Sequence, residues 1–161
     1  NPGVARMAAN ALPAELRPAA ALFDRASRDP GRLLNPGQLD SGKRGDREIA
    51  LYALDQLARR SSSEAVQALR KRAPQFTAEE LQAAWAHLAT WAARRHEAVA
   101  LGWFQQAGVA ATNDFQREWW ARAALRAGDW PAVQRAIEGM GEATRTLPVW
   151  RYWRARALQA T

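Results

Sequence analysis

The chain has 161 residues, 48% of them hydrophobic and none of them cysteine, so it can bury a real core but can form neither a disulfide nor a thiolate metal site. No run of about 18 apolar residues occurs, which excludes a membrane-spanning helix. The formal net charge of +7 favours anionic partners (nucleic acid, an anionic membrane surface, acidic cell-wall polymer), although an arginine-rich proteome produces the same balance with no partner implied.

Abundant alanine, sparse glycine and few β-branched residues predict helix throughout. No signal peptide is visible, and the opening Asn1 reads as the start of an excised or processed product, which leaves export open. Residues 1–30 form an N-terminal helical segment punctuated by Pro13 and Pro18, with a helix carrying Ala21, Leu22 and Ala26 that stops before Asp29-Pro30-Gly31. Residues 31–45 hold four glycines and Asn35-Pro36-Gly37, which predicts a loop or linker. A helical-repeat domain is expected over 46–161, its last hairpin truncated.

In that domain Asp46 is the expected cap of a helix bearing Ile49, Tyr52, Ala53 and Leu57 on one stripe and ending at Arg59-Arg60. Ser61-Ser62-Ser63 reads as a turn, Glu64–Lys71 as the return helix and Pro74 as its stop. Thr77-Ala78-Glu79-Glu80 is a capping box that opens a helix with Leu81, Trp85, Leu88, Ala89 and Ala92. Arg94-Arg95-His96 forms the next turn, a return helix spans 97–106, and Gly108 breaks the chain. Asn113 or Asp114 then caps a helix through Ala127. There Gly128 suits a left-handed helix end, Asp129 caps the next helix, and Pro131 falls in its first turn. A loop through Thr144 and Thr146 leads to Pro148 and a final helix over 149–160.

The hairpin recurs. Tyr52, Trp85, Trp119 and Trp153 are 33, 34 and 34 residues apart, and Gln56, Ala89, Ala123 and Ala157 keep the same steps. Ala65-Val66, Ala98-Val99 and Ala132-Val133 repeat with them. A large residue four positions before a small one lets a neighbouring helix approach a bulky ring. The period predicts an all-α, right-handed superhelix or α-solenoid of antiparallel helical hairpins.

Chemistry is sparse. Of the nine glutamates, Glu15, Glu48, Glu64, Glu79, Glu80, Glu97 and Glu142 read as caps, first-turn residues or solvated positions. Glu118 is flanked by Trp119, but Arg122 lies at i+4 to pair with it. His87 and His96 lack a matching carboxylate for a metal site, and neither a phosphate loop nor a Ser-His-Asp pattern occurs. No catalytic residue, metal or cofactor is read from the chain. The C-terminal stretch differs: Arg145, Arg151, Arg154 and Arg156 accompany Trp150, Tyr152 and Trp153, and no acid follows Glu142. Arg151, Arg154 and Trp150 are candidate glycan or anion contacts, set against the reading that the tryptophans are solenoid core and the arginines its wet face.

The runs Ala123-Ala124-Leu125-Arg126-Ala127-Gly128-Asp129-Trp130 and Pro148-Val149-Trp150-Arg151-Tyr152-Trp153-Arg154-Ala155-Arg156-Ala157-Leu158 resemble the soluble lytic murein transglycosylases, in the superhelical part preceding their catalytic domain. The resemblance implies a periplasmic helical scaffold, with peptidoglycan as the parent enzyme's substrate and the enzyme's own catalytic domain as partner. The family's catalytic glutamate is followed by serine, and no Glu-Ser pair occurs here. The resemblance therefore implies a non-catalytic portion that shapes the substrate groove. A tetratricopeptide-like interaction module is the alternative, weakened by the missing second-helix pattern. Nucleic-acid binding rests on charge alone.

Overall fold

The computed structural model describes residues 3, 4, 7, 10, 11, 13 and 18–161. Glu15 and most of the first seventeen positions fall outside the described residues. The described residues form ten α-helices and a short 3-10 turn, with no strand. They divide into two compact units, Asn1–Glu80 and Leu81–Thr161.

The first unit holds α1 (Ala20–Arg28), α2 (Pro30–Leu33), α3 (Arg44–Arg60) and α4 (Ser62–Arg72), followed by the 3-10 turn Ala73–Gln75. One helical turn thus stands at the head of the stretch predicted as loop, because Asp29 caps it by accepting from the Arg32 amide at 3.0 Å. Helix α3 begins before Asp46, with Lys43 at its cap. Asp46 instead occupies the first turn, where a carboxylate meets the positive end of the helix, and accepts from the Asp40 amide at 2.8 Å. The Ser61–Ser63 turn contracts to Ser61, whose hydroxyl caps α4 through the Glu64 amide. The core is mainly aliphatic: Leu33, Ile49, Leu54 and Leu69 are all buried, along with Phe23, and alanines at 50, 53, 58 and 65 fill the close approaches. At the end of α4, Arg72 is buried and donates from Nε to the Leu34 carbonyl (2.9 Å), from Nη2 to the Asn35 carbonyl (3.3 Å) and from Nη1 to Gln75 Oε1 (2.8 Å).

Helix α5 (Ala78–Arg94) opens on the Thr77 capping box, with the Glu80 amide on Thr77 Oγ1 at 3.2 Å and the Thr77 amide on Glu80 Oε2 at 2.8 Å. Glu80 also takes Arg47 Nε at 3.0 Å. Burial pushes its carboxyl up, but the Thr77 amide and the Arg47 guanidinium outweigh that and hold it below the usual carboxylate range.

The second unit contains most of α5, then α6 (Ala100–Ala107), α7 (Asp114–Ala127), α8 (Trp130–Glu138), α9 (Glu142–Arg145) and α10 (Pro148–Ala160). The return helix starts at Ala100 rather than 97, because the α5 end is longer than a simple turn. His96 adopts φ 61, and the Glu97 amide reaches back to the Ala92 carbonyl at 3.0 Å. The end of α7 has the same wrap: Gly128 has φ 68 and the Asp129 amide bonds the Ala124 carbonyl at 3.0 Å. Both are left-handed helix endings, one using the favoured glycine and one a histidine. Asn113 and Gln116 form a reciprocal capping box on α7, and Asp129 caps α8 at the Ala132 amide. The span predicted as loop after Met140 contains α9.

Candidate anion-binding surface

Helix α9 is set in place by one carboxylate. Asp114, in the first turn of α7, accepts from Thr144 Oγ1 at 2.6 Å, from the Gly141 amide at 2.9 Å and from Arg117 Nη1 at 3.2 Å. The Thr144 hydroxyl, then the Gly141 amide and Arg117, hold its carboxyl below the ordinary aspartate range against a small opposing effect of burial. A Cβ on residue 141 would lie 3.0 Å from Asp114 Oδ2, so glycine suits this approach. The acid fixes the short helix, and the short helix delivers Arg145.

On α10, positions three and four apart share a face. Arg151, Arg154, Ala155 and Leu158 therefore line up, and they join Arg145 and Thr146 around a shallow concavity of about 260 Å³. Arg145 donates to the Glu138 carbonyl at 3.3 Å, and none of the three arginines forms an ion pair among the described residues. Arg151 and Arg154, both predicted contacts, are thus brought together with Arg145. Trp150, predicted alongside them, turns the other way. It is 2% exposed, and the Arg122 guanidinium lies 4.9 Å from its ring centre. Three guanidiniums on one concavity, with no acid among them, can bind carboxylate or phosphate groups.

The four positions predicted to repeat do not have equivalent surroundings. Tyr52 is half-buried, edge-on to Phe23 at 5.9 Å, with its hydroxyl 3.1 Å from Ser27 Oγ. Trp85 is buried and tilted against Trp103, also at 5.9 Å. Trp119 is half-buried between Arg94 (5.9 Å) and Arg122 (5.1 Å), while its neighbour Trp120 is 1% exposed and stacks on Phe104 at 5.5 Å and 4°. Trp153 is half-buried, edge-on to Tyr152 at 5.0 Å. Their alanine partners Ala89, Ala123 and Ala157 are all buried.

The sequence reading missed an alternating stack. Arg94 lies 4.6 Å from the Trp91 ring centre as well as over Trp119, so the order Trp91, Arg94, Trp119, Arg122, Trp150 runs across α5, α7 and α10. Its local mark is a tryptophan three residues before an arginine, at Trp91/Arg94 and again at Trp119/Arg122. Glu118 pairs with Arg122 at 3.3 Å, so this carboxylate is tied to the stack. His87 and His96 are both exposed. No group of three or more His, Asp or Glu side chains able to hold a metal ion occurs among the described residues, and no described helix is long and apolar enough to cross a membrane.

No family model and no curated protein matches the chain. Among solved structures it is similar to an inactive mutant of the lytic transglycosylase Slt from Pseudomonas aeruginosa, with a TM-score of 0.69 and 25% identity. The match covers 98% of this chain and 26% of that one, so the chain spans about a quarter of that protein's length. The likeness drawn from two C-terminal runs is thus matched by a structural similarity to a lytic transglycosylase over nearly the whole chain.

Proposed function

We propose that this chain, similar as it is to the helical part of a lytic transglycosylase, serves as the non-catalytic scaffold of such an enzyme in the periplasm. It shapes a groove for peptidoglycan strands and works beside the catalytic domain of a longer protein. The observation that carries this reading is the structural likeness over 98% of the chain.

A right-handed solenoid with a 33–34-residue repeat belongs to the same proposal, and the long-range hydrogen bonds support it. In the first unit Arg60 donates to the Ser27 carbonyl at 2.6 Å and Arg47 to Glu80 at 3.0 Å; in the second Arg126 donates to the Ala93 carbonyl at 2.9 Å. Each pair is separated by 33 residues. A one-dimensional array links each repeat to its neighbour at a fixed step, as these bonds do.

In this reading Arg145, Arg151 and Arg154 supply attraction for the anionic wall polymer, and exposed charges of this kind are screened over about 8–10 Å at physiological ionic strength. Sedimentation with insoluble peptidoglycan is the test. The chain should pellet at low salt, less at high salt, and less still with all three arginines changed to glutamine. No anhydro-muropeptide should be released from the glycan. Release that disappears on mutating one glutamate would overturn the scaffold role. Stronger pelleting with duplex DNA, uncompeted by glycan, would overturn the ligand.

A further inference from the structure

Arg72 is 5% exposed, a depth that arginine rarely reaches without a carboxylate partner. It has no such partner. Its acceptors are the carbonyls of Leu34 and Asn35 and the side-chain oxygen of Gln75, all neutral. A guanidinium carries five N–H donors, one on Nε and two on each terminal nitrogen. The three bonds therefore leave one N–H on each terminal nitrogen unused, and the positive charge has no counter-ion. The Leu34 and Asn35 carbonyls lie at the end of α2, but that helix has four residues, too short a dipole to offset a full charge.

Arg72 and all three of its acceptors line one cavity of about 340 Å³, inside the range of roughly 300–1,000 Å³ typical of small-molecule sites. Leu34, Leu57 and Ala68 give the same cavity an apolar wall. Lys71 and Glu64, both exposed, also line it. The composition is that of an amphipathic site: a buried cation with spare donors, an aliphatic surface, and one charge of each sign at the rim.

We propose that this cavity binds a small carboxylate that carries a short aliphatic group, the chemistry shared by a free amino acid such as alanine and by the C-terminal end of a short peptide. The carboxylate takes the two unused guanidinium N–H groups, for which the planar fork is suited. The aliphatic group rests on Leu34, Leu57 and Ala68. Lys71 adds attraction for the carboxylate, and Glu64 faces an amine where the ligand has one. The inference stands on the cavity alone and holds whether or not the chain works on cell wall.

Amide NMR spectra of the 161-residue chain, titrated with alanine, with Ala-Ala and with C-terminally amidated Ala-Ala, test it. Saturable shifts are expected at residues 34, 35, 64–73 and 75 with a free carboxylate. The amide should bind at least about tenfold more weakly, the size of effect expected on losing a charge-assisted contact. A response to alanine points to a free small molecule, and a response to Ala-Ala alone points to a peptide end; both support the site. Arg72→Gln should abolish the response. Because that change also removes the cap on α2, Ala68→Leu provides the second variant: it fills the cavity, leaves Arg72 intact, and should abolish binding with the rest of the spectrum unchanged. An equal response to the amide would overturn the proposal, as would binding retained in folded Ala68→Leu. So would shifts scattered over surface arginines that fade with salt, or no saturable response to either carboxylate.

Discussion

The two units pack their helices with different materials. All eight tryptophans lie in residues 81–161 and none in 1–80. The first unit packs on Leu33, Ile49, Leu54 and Leu69; the second packs on Trp120 stacked against Phe104, on Trp85 against Trp103, and on the Arg–Trp stack. Both place buried alanine where helices approach, and both close a helix end with an arginine 33 residues further along the chain, Arg60 on Ser27 and Arg126 on Ala93. Small residues, caps and arginine clamps are therefore common to both units, while the bulky filler varies with its neighbours.

The comparison breaks most readily at Trp120. Trp120→Ala should cost about 3–5 kcal/mol, the range for emptying a buried aromatic site. Trp120→Phe should cost far less, because stacking on Phe104 persists and the buried indole N–H has no hydrogen-bond partner to lose. Urea unfolding of the two variants decides; equal losses would mean that the N–H matters and the stack does not. Trp119→Ala, which removes a half-buried ring and with it two guanidinium contacts, should cost only about 1–2 kcal/mol. A larger loss at 119 than at 120 would show that the core had been assigned to the wrong ring.

The shared device predicts equality. Arg60→Met and Arg126→Met should each lose about 1 kcal/mol, the net worth of a typical hydrogen bond. Marked inequality in their denaturation midpoints would separate the two units after all.

Acid sharpens the same parallel, since among the described residues each unit has one depressed carboxyl, Glu80 in the first and Asp114 in the second. Both groups are harder to protonate folded than unfolded. Their contribution is complete above the unfolded values near about 4 and is lost as pH falls through the lower folded values. Glu80→Gln and Asp114→Asn should lower the melting temperature at neutral pH and shrink the difference from the parent as pH drops. A difference that grows in acid would reverse the sign of the argument. The smallest effect is a gain: His96→Gly should stabilise by roughly 0.5–1 kcal/mol, because glycine adopts the positive φ at that helix end without strain. A loss there would show that the imidazole has a role the backbone does not reveal.

Local chemistry was legible in the sequence wherever a cap or turn is specified by its own residues. Thr77 with Glu80, Asn113 as one of the two expected caps, and Gly128 with Asp129 all stand where the sequence places them, while the Gln116 half of the Asn113 cap went unread. What depends on a distant partner was not legible. Successive helical residues are about 100° apart, so of Trp119 and Trp120 only one can face the core, and Phe104 on another helix decides which. Helix α9 depends on Asp114, 27 residues before Gly141, and nothing around Lys71-Arg72-Ala73 marks Arg72 for burial. Arg151 and Arg154 were found because helical spacing alone puts them on one face; Arg145 joins them through a carboxylate far away in the chain.

Confining every indole to residues 81–161 also makes the chain its own optical reporter. Excited at the red edge of the tryptophan band, it emits only from that part of the chain, whereas far-ultraviolet ellipticity counts the helices of both. Melting of residues 1–80 would be silent in emission and visible in ellipticity. Two traces that superimpose mark one cooperative transition, and two that part mark a chain whose halves unfold in sequence.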